Sequence, residues 1–454
     1  MPKVDSIESD PPRFAAGHNT DADKCVADEN DGECNDAVGK HSQPVYFKRT
    51  RAYAVIKPPL RALKYLGCYV RDRNVHKKGM PTWFRWKLYV QWARVVVTLL
   101  LVLCGSFVAV RMLLLMELTN SRLRLTARNM SLLVLTMFVV QSVLICAFVV
   151  YWFWSGKVRR FLLCIHSVSG GEGTLVYRRS FTVLLNRCWT VLIFVIVLVT
   201  VAFLSGIRLW APDGHALSGV HLFWLPQLDV LTIVLCAWGW LLWLCSMVFY
   251  TRLCECAAVE FKLCNKHLKQ DHRAAKLADA ALLEHHFRRH IEFSEIVFHL
   301  NDMLQYMLFV LLMINVPILI VSLYAVLSKE LVWFEQTLAL MFSGVNTVQM
   351  LTLTMLPAIV HEQAHKAQEI LHEAVDVWIP SNSKILSVAN AFSQRLATVT
   401  VGVSMGGFAN ITRSFLFTVT SVIATYVIIL WEFDNPEEQA DCAKCGHCAN
   451  STNF

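Results

Sequence analysis

The amino-acid sequence predicts an all-α, polytopic membrane protein: seven transmembrane helices, an intracellular N-terminus, an extracellular C-terminus and a cytoplasmic helical anchor domain. Three observations carry this. Of 454 residues, 55% are hydrophobic and only 17% charged, against roughly 25% charged in a soluble chain, and the mean hydropathy is +0.45. Seven apolar stretches are each long enough to cross a hydrocarbon core, which takes about twenty residues of helix. The Lys and Arg residues gather in alternate loops. A soluble enzyme and an ordinary nucleic-acid binder are both excluded by this composition.

Residues 1–47 read as a disordered cytoplasmic tail. Asp5, Glu8, Asp10, Asp21, Asp23, Asp28, Glu29, Asp31, Glu33 and Asp36 face Lys3, Arg13, Lys24 and Lys40, and so polar a stretch buries too little apolar surface to offset its ordering entropy. It lacks the basic start and apolar core of a secretory signal, so the first transmembrane helix is expected to do the targeting.

The predicted spans are 90–116, 130–154, 189–207, 230–250, 303–327, 336–357 and 411–432. Between them, 48–94 holds thirteen Lys/Arg, 155–188 six, 251–302 eight and 358–410 three, whereas the opposite side carries six in all. Basic loops stay in the cytoplasm, which sets the orientation. A G-protein-coupled receptor has the reverse orientation, and this chain lacks an Asp/Glu-Arg-Tyr run after span three and an Asn-Pro-x-x-Tyr in span seven.

The inner loops are long and helical in pattern. From Arg252 to Asp302 there is no Pro or Gly, and Leu253, Ala257, Phe261, Cys264 and Leu268 recur at helical spacing. This predicts an amphipathic helix continuing span four inward. Residues 358–376 extend span six until Pro380 stops the helix. The division expected is 48–357 as a six-helix ligand-binding bundle with cytoplasmic extensions, 358–410 as a cytoplasmic anchor segment, 411–433 as a last helix and 434–454 as an extracellular tail.

Along the last helix Thr418, Ser421, Thr425, Ile429 and Glu432 share one face. Hydroxyls, one apolar residue and a carboxylate make a plausible water-facing stripe. Phe417, Ile423, Val427 and Leu430 fall on the other side, suited to lipid or packing. The alternative is that the hydroxyls back-bond to their own helix and Glu432 simply ends it.

The run Thr425-Tyr426, five apolar residues, Glu432, Phe433 resembles the last-helix signature of the arthropod gustatory receptors, Thr-Tyr, five hydrophobics, Gln-Phe. Glu432 stands where that family usually has Gln. Phe408, Arg413 and the helix from Glu362 to His372 also fit the family, and the seven-span, inside-N-terminus layout covers nearly the whole chain. The resemblance implies a ligand-gated, non-selective cation channel at the plasma membrane of chemosensory neurons. It implies a homo- or hetero-tetramer of subunits, with membrane lipid, a small-molecule tastant and permeating cations as partners. No cofactor, catalytic residue or nucleic acid enters this expectation. The last helix would line the pore, with Ile429 as a hydrophobic constriction and Glu432 as an acidic ring favouring cations.

The ligand site is expected in the outer half of the bundle, where polar anchors sit on an apolar, aromatic wall. Candidates are Gln141, Trp224, Gln227, Asp229, Asn315, Tyr324, Asn346 and Gln349. Such groups also bond one another between helices. Sugars, bitter compounds, amino acids and carbon dioxide all remain open as ligands.

His361-Glu362-Gln363-Ala364-His365 matches the zinc-protease pattern H-E-x-x-H. A catalytic zinc there needs a third ligand, and Glu369, His372, Glu373 and Asp376 stand nearby in sequence. An integral-membrane metalloprotease is therefore the rival to the channel; the expectation is no metal. His285, His286 and His290 read as a solvated helix face. Cys442, Cys445, Cys448 and His447 near the C-terminus stay unassigned. Of three sequons, Asn129 abuts a span, Asn410 falls on the inner side, and Asn450 is outside.

Overall fold

A computed structural model describes residues 51–66, 68, 96–110, 127–168, 229–327, 333–379 and 383–434. Its elements are α1 (Arg51–Tyr65), α2 (Val96–Val110), α3 (Ala127–Trp154), α4 (Lys157–Val168) and α5 (Asp229–Arg273). A 3-10 turn (Lys276–Ala278) precedes α6 (Ala280–Leu327), α7 (Trp333–Glu373), α8 (Val375–Trp378) and α9 (Ser383–Thr398). A two-residue hairpin, β1 (Ser404–Met405) and β2 (Ala409–Asn410), leads into α10 (Arg413–Asp434). Expected span 189–207, the tail 1–47 and the Cys442–Cys448 cluster lie outside the described residues.

Among the described residues, five helical segments are long and apolar enough to cross a bilayer: Thr136–Trp154, Ala237–Arg273, Ala280–Leu327, Ala339–Glu373 and Arg413–Glu432. Val96–Val110 is a shorter apolar helix within the expected first span. α5, α6 and α7 have 45, 48 and 41 residues. At 1.5 Å per residue each runs about 60–70 Å, twice the thickness of a hydrocarbon core. Each therefore has a half that extends past the membrane.

In the membrane half, α5, α6 and α7 pack on one another, and α3 packs on α5 and α6. Small residues let the helices close up: a Cβ at Gly239 of α5 would lie 3.2 Å from Ser142 Oγ, and one at Gly105 of α2 3.2 Å from Val143. Helices that lack a hydrophobic drive between them rely on such close approach. Pro317 and Pro357 lie inside α6 and α7, each removing one backbone donor where neighbouring helices support the backbone.

The protruding halves build a second core of their own. Leu268 of α5, Leu277 of the 3-10 turn, Leu283 of α6, Leu371 of α7, Val377 of α8 and Phe392 of α9 meet in one buried cluster. Trp378 closes it, its Nε1 donating to the Leu371 carbonyl at 2.8 Å.

Two expectations change here. The 252–302 segment is not one helix: α5 ends at Arg273 and the chain reverses through Ala275, whose φ is +54°. No Gly or Pro marks the reversal. It is held by burial of Leu277 and by Asp279, whose Oδ1 accepts from Ala281 N at 2.9 Å to cap α6. His286 and His290 do not sit on a solvated face. They are buried, because the reversal folds their face of α6 against α5 and α7. His286 Nε2 meets Asp271 Oδ2 at 2.9 Å, and His290 Nε2 donates to the Ala364 carbonyl at 3.0 Å.

Candidate functional site

Four of the expected ligand-contacting residues are buried in the membrane half, and two of them, Gln141 and Asn315, meet. Gln141 of α3, Asn315 of α6, and Asn346 and Gln349 of α7 are all 0% exposed. Gln141 Nε2 donates to Asn315 Oδ1 at 3.4 Å. Gln141 Oε1, Asn315 Nδ2 and all four amide atoms of Asn346 and Gln349 have no hydrogen-bond partner in the chain. A buried amide left unpaired costs on the order of 1–3 kcal/mol per group, so this many is a costly arrangement unless something polar engages them.

An aromatic wall stands one turn away. Phe138 (three residues before Gln141) lies 5.2 Å from Trp240 and 4.9 Å from Phe342, centroid to centroid. Phe342 precedes Asn346 by one turn and stacks on Trp240 at 6.1 Å and 15°. Sequence reading missed Phe138, Trp240 and Phe342, although the i,i+3 and i,i+4 spacings to the carboxamides were there to be used.

The other candidates part company with this cluster. Tyr324 is buried with Ala325 against Val321, Ala339 and Leu430 of α10. It lies nine residues beyond Asn315, about 13 Å along α6, and so belongs to the contact with the last helix. Asp229 opens α5, while Trp224 and Gln227 lie outside the described residues.

α10 leans on α6 and, less extensively, on α7. Only 6% of its apolar window is buried. Ile423 is buried and Val427 and Leu430 are half-buried, whereas Thr418, Ser421, Thr425, Ile429 and Glu432 are all exposed. At 100° per residue the exposed stripe falls roughly opposite the packed face. Phe417 does not join the packing side: it is 74% exposed, because its position falls on the flank of the helix. Thr418 and Thr425 donate their hydroxyl protons to Ser414 O at 3.1 Å and Ser421 O at 2.9 Å. Oxygen lone pairs are left to face outward.

The start of α10 is fastened in two ways that the sequence alone did not show. The hairpin clasps one face of α6. Asn301 Oδ1 accepts from Ser404 N at 2.7 Å and from Ser404 Oγ at 2.9 Å. Gly406 N donates to Gln305 O at 3.0 Å, and the Phe408 ring lies 5.8 Å from the Phe309 ring, tilted at 45°. Then Arg413 Nη2, on the first residue of α10, pairs with Glu362 Oε2 of α7 at 2.5 Å. The Gly406-Gly407 turn signal was the one clue to the hairpin in the sequence.

That ion pair also bears on the H-E-x-x-H run. Its Glu362 carboxylate is paired with Arg413. Among the described residues no group of three or more His, Cys, Asp or Glu side chains stands close enough to share a metal ion. The arrangement of a zinc hydrolase, three protein ligands and a carboxylate free to act as base, is not assembled here.

The model of the 7tm chemosensory receptor family matches residues 60–435. The chain belongs to that family. This chemosensory receptor resembles the solved structure of the insect olfactory receptor OR5 from Machilis hrabei, at 14% identity and a TM-score of 0.60, over 83% of this chain and 97% of that one. It also resembles OR5 from Machilis hrabei in complex with eugenol, at 14% identity and a TM-score of 0.54, over 86% and 99% of the two chains. At that identity the likeness shows the shared fold. No curated protein sequence matches the receptor.

Proposed function

We propose that this receptor is a gustatory-type, ligand-gated, non-selective cation channel of the plasma membrane, formed by four subunits around their last helices, and that it carries out no enzymatic chemistry. The observation that carries this reading is α10. It is an apolar helix that its own subunit scarcely covers, and the face turned away from that subunit bears Thr418, Ser421, Thr425 and Glu432. A carboxylate is costly against lipid, and the hydroxyls, though bonded to their own helix, still have lone pairs for water. Facing a shared water path they are at home. Ile429 would narrow that path by dewetting, and Glu432 would favour cations at its mouth.

The ligand chamber in this reading is the carboxamide cluster with its Phe138–Trp240–Phe342 wall. A small organic molecule that stacks on the aromatics and bonds to Asn346 and Gln349 would fit it; the OR5 structure that the receptor resembles is in complex with a small organic molecule, eugenol. Residues 1–47 serve as the cytoplasmic tail, 48–357 as the ligand-binding bundle, 358–410 as the anchor and 434–454 as the outer tail. Ligand binding would be relayed through the Tyr324–Ala325 pair, against which Leu430 packs.

The test is electrical. The receptor expressed alone, or with partner subunits, should give a tastant-evoked whole-cell current that persists when G-protein signalling is blocked. Glu432→Gln should reduce divalent-cation block, and Glu432→Lys should shift the reversal potential away from cation preference. Unchanged selectivity in both variants would remove Glu432 from the pore.

A further inference from the structure

We infer that His361 and His365 form a binding site for one divalent transition-metal ion of the zinc class, non-catalytic and seated beside the start of the last helix. The two imidazoles sit one turn apart on the extramembrane half of α7, and their Nδ1 atoms face each other at 2.9 Å. The ring centroids are 4.2 Å apart at 69°. Two nitrogens bound to one tetrahedral zinc at about 2.0–2.1 Å each lie about 3.3 Å apart, so admitting the ion takes a few tenths of an ångström of ring movement. His365 Nδ1 also lies 3.0 Å from the His361 carbonyl, which can only accept, so that nitrogen now carries the proton and the ion takes the proton's place.

The surroundings suit a metal ligand pair. Both imidazoles are half-buried on α7, so few waters compete for their nitrogens. The backbone of Gly402 packs on His361: a Cβ there would lie 3.6 Å from the His361 Cβ, which limits the ring's freedom. Both rings open onto a groove of about 380 Å³, whose lining includes Glu369, His372 and Thr412. The groove leaves space for the water molecules that complete the coordination of an ion held by two protein ligands. Glu362, between the two histidines in sequence, is engaged by Arg413 of α10 and supplies no ligand. A bound dication one turn away would compete with Arg413 for that carboxylate, so the site lies against the fastening of the last helix.

The experiment uses the full chain purified in detergent with a tag free of histidine, and needs no channel activity. In a Co²⁺ titration followed by visible absorbance, the wild type should bind one more ion per chain than His361→Ala or His365→Ala. Zn²⁺ should displace that ion and Mg²⁺ should not, while Glu362→Gln should keep it. A measurement on the wild type alone guards against misfolded variants: Zn²⁺ should protect His361 and His365 from carbethoxylation, read by peptide mass spectrometry. Equal Co²⁺ stoichiometry in wild type and variants, or equal carbethoxylation with and without Zn²⁺, overturns the proposal.

Discussion

His290 shows how one side chain couples burial to protonation. It is 1% exposed, its rings packed near Phe261 at 5.4 Å and Phe392 at 5.5 Å. Its Nε2–H is used on the Ala364 carbonyl and its Nδ1 has no partner, which describes a neutral imidazole. Burial dominates and lowers its pKa from 6.5 to about 4. As pH falls, the unfolded chain takes up the proton first. Stability from this residue is therefore complete above about pH 6.5 and is lost down to about pH 4, by up to about 3 kcal/mol. His286, also lowered chiefly by burial, loses stability in the same direction. Thermal unfolding of the detergent-solubilised receptor should show Tm falling between pH 7 and pH 4.5, and the fall should be smaller in His290→Gln. An equal fall in both would mean that His290 is not the group responsible. The sequence could not show this, because an i,i+4 histidine pair on a polar helix looks the same whether solvent or a second helix covers it.

At the scale of elements, the apolar helices were legible because their driving force is local: twenty apolar residues in a row have few alternatives to a membrane helix. The long extensions were legible from the 3.6-residue pattern. The reversal at Ala275 was not, since an alanine in the left-handed region costs about 1 kcal/mol and is held there by the burial of Leu277, a tertiary effect. The hairpin before α10 was half legible. Gly406 and Gly407 announce a turn, but only the fold shows that Asn301, Gln305 and Phe309, at i, i+4 and i+8 on α6, receive it. Gly406 has φ +60°, and a Cβ there would lie 3.3 Å from Phe309. Gly156 has φ +69° with nothing within 4 Å of its would-be Cβ. Gly156→Ala should thus cost only the conformational penalty, about 1 kcal/mol. Gly406→Ala adds the collision with Phe309 and should cost more, with a lower Tm than Gly156→Ala in parallel melts. Equal losses would show that the hairpin does not press on α6 as described.

At the scale of the whole molecule, the sequence showed which polar residues lie in apolar runs and not how they are arranged. The carboxamides Gln141, Asn315, Asn346 and Gln349 stood out as polar residues in apolar runs, a reading that needs no partner information. Which of them meet, and that Tyr324 and Ala325 lie instead against the last helix, depends on helix rotation and tilt, which packing sets. The same dependence governs α10. Its composition shows a helix with a polar stripe, and only the packing shows that the stripe is the face its subunit leaves bare. In the proposed ring of four subunits, equivalent positions near the axis come close together. Thr425→Cys, on the stripe, should therefore form an oxidant-induced disulfide between subunits, seen as a dimer band absent from the parent protein. Phe417→Cys, equally exposed but on the flank, should not. If Phe417→Cys cross-links and Thr425→Cys does not, the last helix is turned with its hydroxyls away from the axis, and the water path must be sought elsewhere in the assembly.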